Sequence, residues 1–470
     1  MATSTSPAQN KSGIIKWVIS IVLAILPLLV PISEMYTVQA QRFLSITILG
    51  IAILAFELLS SFCVAIMLPS LWVITGVTTM PAAFSSFVSS NALTSLGAFF
   101  LAIVMDKTGL LKRLGYWCLI KAKGSFISTM WALFIAILLI CGVGFAMTAV
   151  LGFTLAYALY RVLELKPTDK EAQIIVMTTM LAAIQSGTYL YCPLTVSILN
   201  GAISVVWEGH AIYWYKLILH NSPTLLFSIL LMAVMLFWYK RSTKGQSIST
   251  EKGLAYFKQA YADLGKMSGQ EKKGIVILVG LMIYLMTQPL HGLDVTYAFL
   301  VTTIIYFLPG VSLADAETVK SISWESWFTI GCFLSVGTVA ASTGINAILA
   351  NAMVPMVSSM GEYWSVLGSL LFGTLVNFVI SPFAMLAMLP GPIISYCLQA
   401  GFDPMPHIYA MYQAKDVLFF PYEYPQYLIL FSFGMVKMNG MIKLCTIKSL
   451  AFILFFIVIM MPLWRLVGIM

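Results

Sequence analysis

From residue 14 to the C-terminus, apolar stretches long enough to cross a hydrocarbon core of about 30 Å recur, separated by short polar segments. Residues 14–32 predict a first membrane helix, 43–78 leave room for two more, and a Ser-rich stretch from Ser85 to Ser95 leads into a span ending near Met105. The pattern changes at residues 107–124. There Lys107, Lys112, Arg113, Lys121 and Lys123 interleave with Leu110, Leu111, Leu114, Tyr116 and Trp117, which predicts an amphipathic helix lying on the cytoplasmic membrane surface. Beyond it, residues 127–163 and 362–398 are apolar but interrupted, the first by Gly142, Gly144 and Gly152, the second by Gly368, Gly373, Pro382, Pro390 and Pro392. Two later stretches are interrupted as well: 182–203, with Gln185, Ser186, Gly187, Thr188 and Pro193, and 415–430, with Pro421 and Pro425. Proline removes a backbone donor and clashes with the preceding turn. Broken backbone is tolerated at membrane depth only where protein or a water-filled cavity satisfies it. Four interruptions are therefore expected to converge near the middle of the bilayer.

The interruptions are spaced as if the chain were written twice. A Thr-Gly step at Thr108-Gly109 returns as Thr343-Gly344, 235 residues later and half of the 470-residue length. The same offset links Thr94 to Thr329, Val104 to Val339, Leu114 to Leu349 and Leu151 to Leu386. The counterpart of the basic segment, residues 342–361, carries no Lys or Arg. A basic segment inside and an uncharged twin outside imply two copies inserted in opposite orientations. The expected fold is thus all-α and polytopic, with two inverted repeats, re-entrant hairpins and broken transmembrane helices. Its parts are an N-terminal helix and lead-in (1–42), a first repeat (43–238), a basic cytoplasmic linker (239–273) and a second repeat (274–470).

Composition agrees: 60% of residues are hydrophobic and 9% charged, against roughly 25% charged in soluble domains. The linker holds eight Lys/Arg against Glu251, Asp263 and Glu271, five of the eight net positive charges. Basic residues gathered in loops follow the positive-inside bias, so nucleic acid is not an expected partner. The seven cysteines have no CxxC spacing and read as core residues. Residues 1–13 are polar, and the apolar run after them lacks a cleavage signature. The N-terminus is accordingly expected on the cytoplasmic side of a cell (inner or plasma) membrane. His210, His220, His291 and His407 have no metal-ligand spacing, and no ATP-binding motif is present.

At its four interruptions the chain resembles the divalent anion/sodium symporter family of dicarboxylate, citrate and sulfate carriers within the ion transporter superfamily. In that family each half carries a re-entrant hairpin with a Ser-Asn-Thr tip, followed by a broken helix reading approximately P-x-G-T-x-x-N. The tips here are Ala146-Met147-Thr148 and Ser381-Pro382-Phe383, retaining Thr148 and Ser381. The first linker, QSGTYLYCP, keeps Gly187-Thr188; the second, FFPYEYPQY, carries Glu423 and Tyr424 near the family's Gly-Thr. The resemblance implies a scaffold domain, a transport domain and a homodimer with elevator-like movement. It also implies sodium ions as the sole cofactors and a small anion as substrate, with lipid around the chain.

Both tips lack the family's asparagine, whereas Glu423 lies between two prolines in an apolar stretch. A charge at mid-membrane costs roughly 2.5–3.5 kcal/mol even on the lenient insertion scale, so carboxylates there are paired, protonated or functional. The alternative is an interfacial segment in which Glu423 meets water. Asp416 is about two helical turns earlier and shares a face with Glu423 if the helix is unbroken. Lys415 either attracts an anion or neutralises Asp416. Thr148, Ser186, Gly187, Thr188, Asn377, Ser381, Glu423 and Tyr424 are the candidate substrate and ion contacts, against the alternative that each hydroxyl bonds back to its own helix. Asp416 and Glu423 are the candidates for proton coupling, and His407 is a lesser candidate for a relay to them. The expected activity is secondary active transport of a di- or tricarboxylate coupled to sodium or protons. Its rivals are a sodium/proton or oxyanion antiporter and, further off, a membrane-embedded enzyme, for which no nucleophile-base pair or metal cluster is present. The chain is therefore expected not to be an enzyme.

Overall fold

The computed structural model describes residues 7–470, apart from 57, 123, 244–248, 347, 349–350, 352–360 and 379. The described residues form helices joined by short turns, with a single isolated β-bridge between Ser125 and Ser249. Among the described residues, five helical stretches are long and apolar enough to cross a membrane: Met80–Lys107, Phe126–Val143, Lys170–Val206, Trp214–Ser242 and Met438–Leu466. A sixth is a bent pair, Pro382–Met388 with Pro390–Ala400, at 40°. Apolar side chains on the outer faces, such as Leu230, Val234, Phe237 and Leu454, are exposed, as expected where the surrounding medium is lipid.

The 235-residue offset survives in three dimensions. Helix Ser90–Lys107 corresponds to Trp324–Ser342, Phe126–Val143 to Gly361–Asn377, and Lys170–Thr179 to Pro404–Ala414, each within two residues at either end. The founding Thr-Gly pairs play one role. Thr108 and Thr343 each cap the C-terminus of a helix, and Gly109 and Gly344 follow with φ of 81° and 78°. A left-handed residue at that point ends a helix, and glycine adopts it without a Cβ penalty.

The copies pack through small residues. A Cβ on Gly97 would stand 2.7 Å from the Cβ of Phe299 and 3.0 Å from its backbone, so helix 90–107 rides directly on the chain of helix Val295–Phe307. Close backbone approach at glycine is how apolar helices gain van der Waals contact when lipid supplies no hydrophobic drive. Trp327 of the second copy donates its indole N–H to the carbonyl of Ala92, its 235-offset counterpart in the first, at 3.1 Å.

The described part of segment 239–273 is docked and not a free tether. Helix Glu251–Asp263 packs on helix Leu110–Ile120, and Thr250 N–H donates to Gly124 O at 3.0 Å. The basic segment forms the expected helix, Leu110–Ile120, but Arg113 turns inward. It bonds Glu271 and the carbonyls of Leu264 and Gly265, with side-chain exposures of 10% for Arg113 and 4% for Glu271. Lys107 pairs with Asp315 at 2.7 Å. Most of the uncharged twin, 342–361, lies outside the described residues.

Candidate functional site

Each copy contains a hairpin followed by a broken helix. The first broken helix runs Lys170–Thr179, widens through a π turn at Met180–Ile184, makes one turn at Ser186–Tyr189 and turns extended at Leu190 before Pro193 restarts it. The second runs Pro404–Ala414, makes a 3-10 turn at Pro421–Glu423, extends through Tyr424 and restarts at Pro425. Proline at the first position of each restarted helix needs no N–H there. Each hairpin tip touches the break of its own copy. Met147 meets Cys192 through sulfur atoms 4.0 Å apart. Phe378 stacks on Phe419, and Phe383 meets Tyr424 edge-on at 5.4 Å. At the first tip Phe145 and Ala146 are left-handed, with φ of 52° and 59°; non-glycine residues held there store strain of about 1–3 kcal/mol each.

The breaks also meet one another, through polar contacts. Tyr412, in the helix before the second break, donates its hydroxyl proton to the Gly187 carbonyl at 2.6 Å and lies 3.0 Å from the Thr195 hydroxyl. The Lys415 ammonium stands 3.6 Å from where a Cβ on Gly187 would be, so the absent side chain lets that charge approach the backbone of the first break. Lys415 pairs with Asp416 at 2.5 Å and lies over the Tyr412 ring at 5.0 Å. Lys448, on the C-terminal helix Met438–Phe455, donates to the Gln185 amide oxygen at 3.2 Å, the Tyr427 hydroxyl at 2.6 Å and the Asp416 backbone carbonyl. Lys448 lies within electrostatic reach of Asp416, Lys415 and Glu423. The four charged residues are each at most 3% exposed. With every group ionised the cluster is neutral; one proton on a carboxylate leaves it at +1.

The expected site residues fall into two groups. Glu423 is buried and does not meet water: its Oε1 accepts from the Phe420 N–H at 2.9 Å and the Phe419 N–H at 3.3 Å, while Oε2 has no protein donor among the described residues. Asp416 Oδ1 likewise lacks one. Asn377 donates to the Ala414 carbonyl at 2.9 Å, satisfying the end of the helix at the second break. Tyr424 is buried against Phe383 and Tyr427. By contrast, Thr148 donates to Ile140 O, Ser186 to Ala183 O and Thr188 to Gln185 O, at 2.6–2.8 Å. Ser381 caps the helix Pro382–Met388 by accepting from Ala384 N–H. A hydroxyl has one proton to give; those of Thr148, Ser186 and Thr188 go to backbone carbonyls close by in the chain.

Three points left open by the sequence are resolved. Asp416 and Glu423 do not share an unbroken helical face, because the helix ends at Ala414. Lys415 pairs with its neighbour Asp416, which consecutive side chains manage once the chain leaves the helix. His407 is not in contact with Asp416 or Glu423: its ring contacts the Ser365 hydroxyl at 2.8 Å and the Asp403 carbonyl at 3.1 Å. Lys448, Gln185 as a ligand, and Tyr412 were missed. A signal for Lys448 was present, since it is a lysine within the apolar run that ends the chain.

The citrate transporter family model matches residues 51–414. Lys415, Asp416, Glu423 and Lys448 all lie beyond the matched residues. The fold resembles the crystal structure of the Alcanivorax borkumensis YdaH transporter, with a TM-score of 0.56 and 12% identity over 97% of this chain and 98% of that one. A membrane protein of Cupriavidus necator is 23% identical over 148 residues, 31% of this chain; the match spans only 28% of that protein's length.

Proposed function

As the chain belongs to the citrate transporter family, we propose that this secondary transporter moves a small di- or tricarboxylate, citrate foremost, in symport with protons. The observation carrying this reading is the buried cluster of Lys415, Asp416, Glu423 and Lys448 at the meeting of the two breaks. Buried carboxylates with one oxygen free of protein donors are suited to bind and release protons. A proton on Glu423 turns the neutral cluster positive and favours an anion beside Lys415. Loss of the anion favours release of the proton, which is the reciprocity that coupling requires. Dipoles of the half-helices add to the attraction.

Opposed insertion of the copies, the basic face towards the cytoplasm of a cell membrane, and elevator-like movement within a homodimer belong to the same proposal. They are supported by the offset-matched helices, by the charged segment and its uncharged twin, and by the family. Uptake of labelled succinate, malate and citrate into proteoliposomes, under separate proton and sodium gradients, tests the reading. We expect the proton gradient to drive uptake, and Glu423→Gln to retain anion exchange while losing that drive. Uptake driven by sodium alone and unchanged in Glu423→Gln would overturn the proton assignment. Transport of none of these anions under any gradient would overturn the substrate class.

A further inference from the structure

Proton-coupled transport counts the charge of Lys448 but gives no task to its hydrogen bonds. Its ammonium is fully buried, yet its hydrogen bonds go to three neutral oxygens: the Gln185 amide, the Asp416 backbone carbonyl and the Tyr427 hydroxyl. Carbonyl, amide and hydroxyl oxygens brought from separate segments onto one positive charge make the donor set of a hard cation. Gln185 belongs to the first break and Asp416 leads into the second, so this charge pins the two together.

Resting on the transport reading, we propose that Lys448 is a tethered cation. It occupies a monovalent-cation site between the breaks, so the carrier assembles its substrate site without an exchangeable sodium or potassium ion. Because the charge is covalently held, it contributes no ion to the transport stoichiometry.

The test uses the full chain in proteoliposomes. Lys448→Ala leaves the oxygens in place with room for an ion, whereas Lys448→Met fills the room without charge. Carboxylate uptake is measured in N-methyl-D-glucamine medium and again with sodium, potassium, ammonium or methylammonium. The native protein should transport equally with or without sodium and potassium. Lys448→Ala should fall about tenfold to a hundredfold in glucamine medium, the scale of losing a buried hydrogen bond to a charged group. It should recover severalfold with ammonium or potassium, and Lys448→Met should recover with none. Native transport that requires sodium, full activity of Lys448→Ala in glucamine medium, or recovery no greater than that of Lys448→Met would overturn the proposal. The native arm decides even if neither variant folds. A chain moving no carboxylate in any medium would instead defeat the transport reading.

Discussion

Replacing Tyr412 by Phe removes one oxygen from the contact between the breaks and changes little else. In the native chain that oxygen gives its proton to the Gly187 carbonyl at 2.6 Å and lies 3.0 Å from the Thr195 hydroxyl, at a side chain that is fully buried. The substitution leaves the buried Gly187 carbonyl without that donor, while the Thr195 hydroxyl keeps only its long bond to the Cys192 carbonyl at 3.4 Å. Stranding a buried polar group costs about 1–3 kcal/mol, and the two losses share one site, so their sum is not expected to be additive. That range corresponds to about fivefold to a hundredfold against the docked arrangement. Tyr306→Phe is the matched control: Tyr306 is equally buried, but its hydroxyl has no protein partner among the described residues. Thermal unfolding in detergent and the uptake kcat/KM in proteoliposomes supply the readouts. Tyr412→Phe should lower both, and Tyr306→Phe should lower neither. Equal behaviour of the two variants would refute the claim that Tyr412 joins the breaks.

Arg113→Met should destabilise the chain by about 3–5 kcal/mol by leaving Glu271 buried without its partner, and Arg113→Met with Glu271→Leu should restore most of the loss; denaturation of the three proteins checks this. The same pair carries a pH signature. Burial pushes the Glu271 carboxyl up, but the hydrogen bonds and charge of Arg113, with the Ser268 N–H, outweigh it and hold the group below its ordinary 4.5. A depressed carboxyl contributes stability that is present above its unfolded value and lost as pH falls through the folded one. The stability gap between native chain and Arg113→Met should therefore shrink as pH falls below 4.5, as melting curves across pH would show. Gly97→Ala should cost about 1–3 kcal/mol by driving a methyl into the backbone of Phe299, whereas Gly142→Ala, with nothing within 4 Å, should be tolerated; thermal shift distinguishes them.

The breaks were legible because proline and glycine announce them in sequence, and Glu423 because a carboxylate in an apolar run is costly wherever it sits. The offset was legible because a helix that must end in a left-handed residue keeps its glycine, as at Gly109 and Gly344. Partnerships were not. Lys448 meets Gln185 across 263 positions, and Tyr412 meets Gly187 across 225, distances at which no local periodicity carries information. The hydroxyls follow the alternative that the sequence left open. Thr148, Ser186 and Thr188 sit at interruptions where backbone carbonyls need donors, and they serve those carbonyls first.

The central claim is that proton and anion are coupled at one buried cluster where the two breaks meet. The most direct measurement follows lumenal pH with a trapped dye, in sodium-free proteoliposomes, when citrate is added outside. The account predicts that the native protein acidifies the lumen as citrate enters. It predicts that Glu423→Gln exchanges citrate for citrate without moving protons. Citrate entry with no lumenal acidification in the native protein, or undiminished acidification in Glu423→Gln, would contradict it.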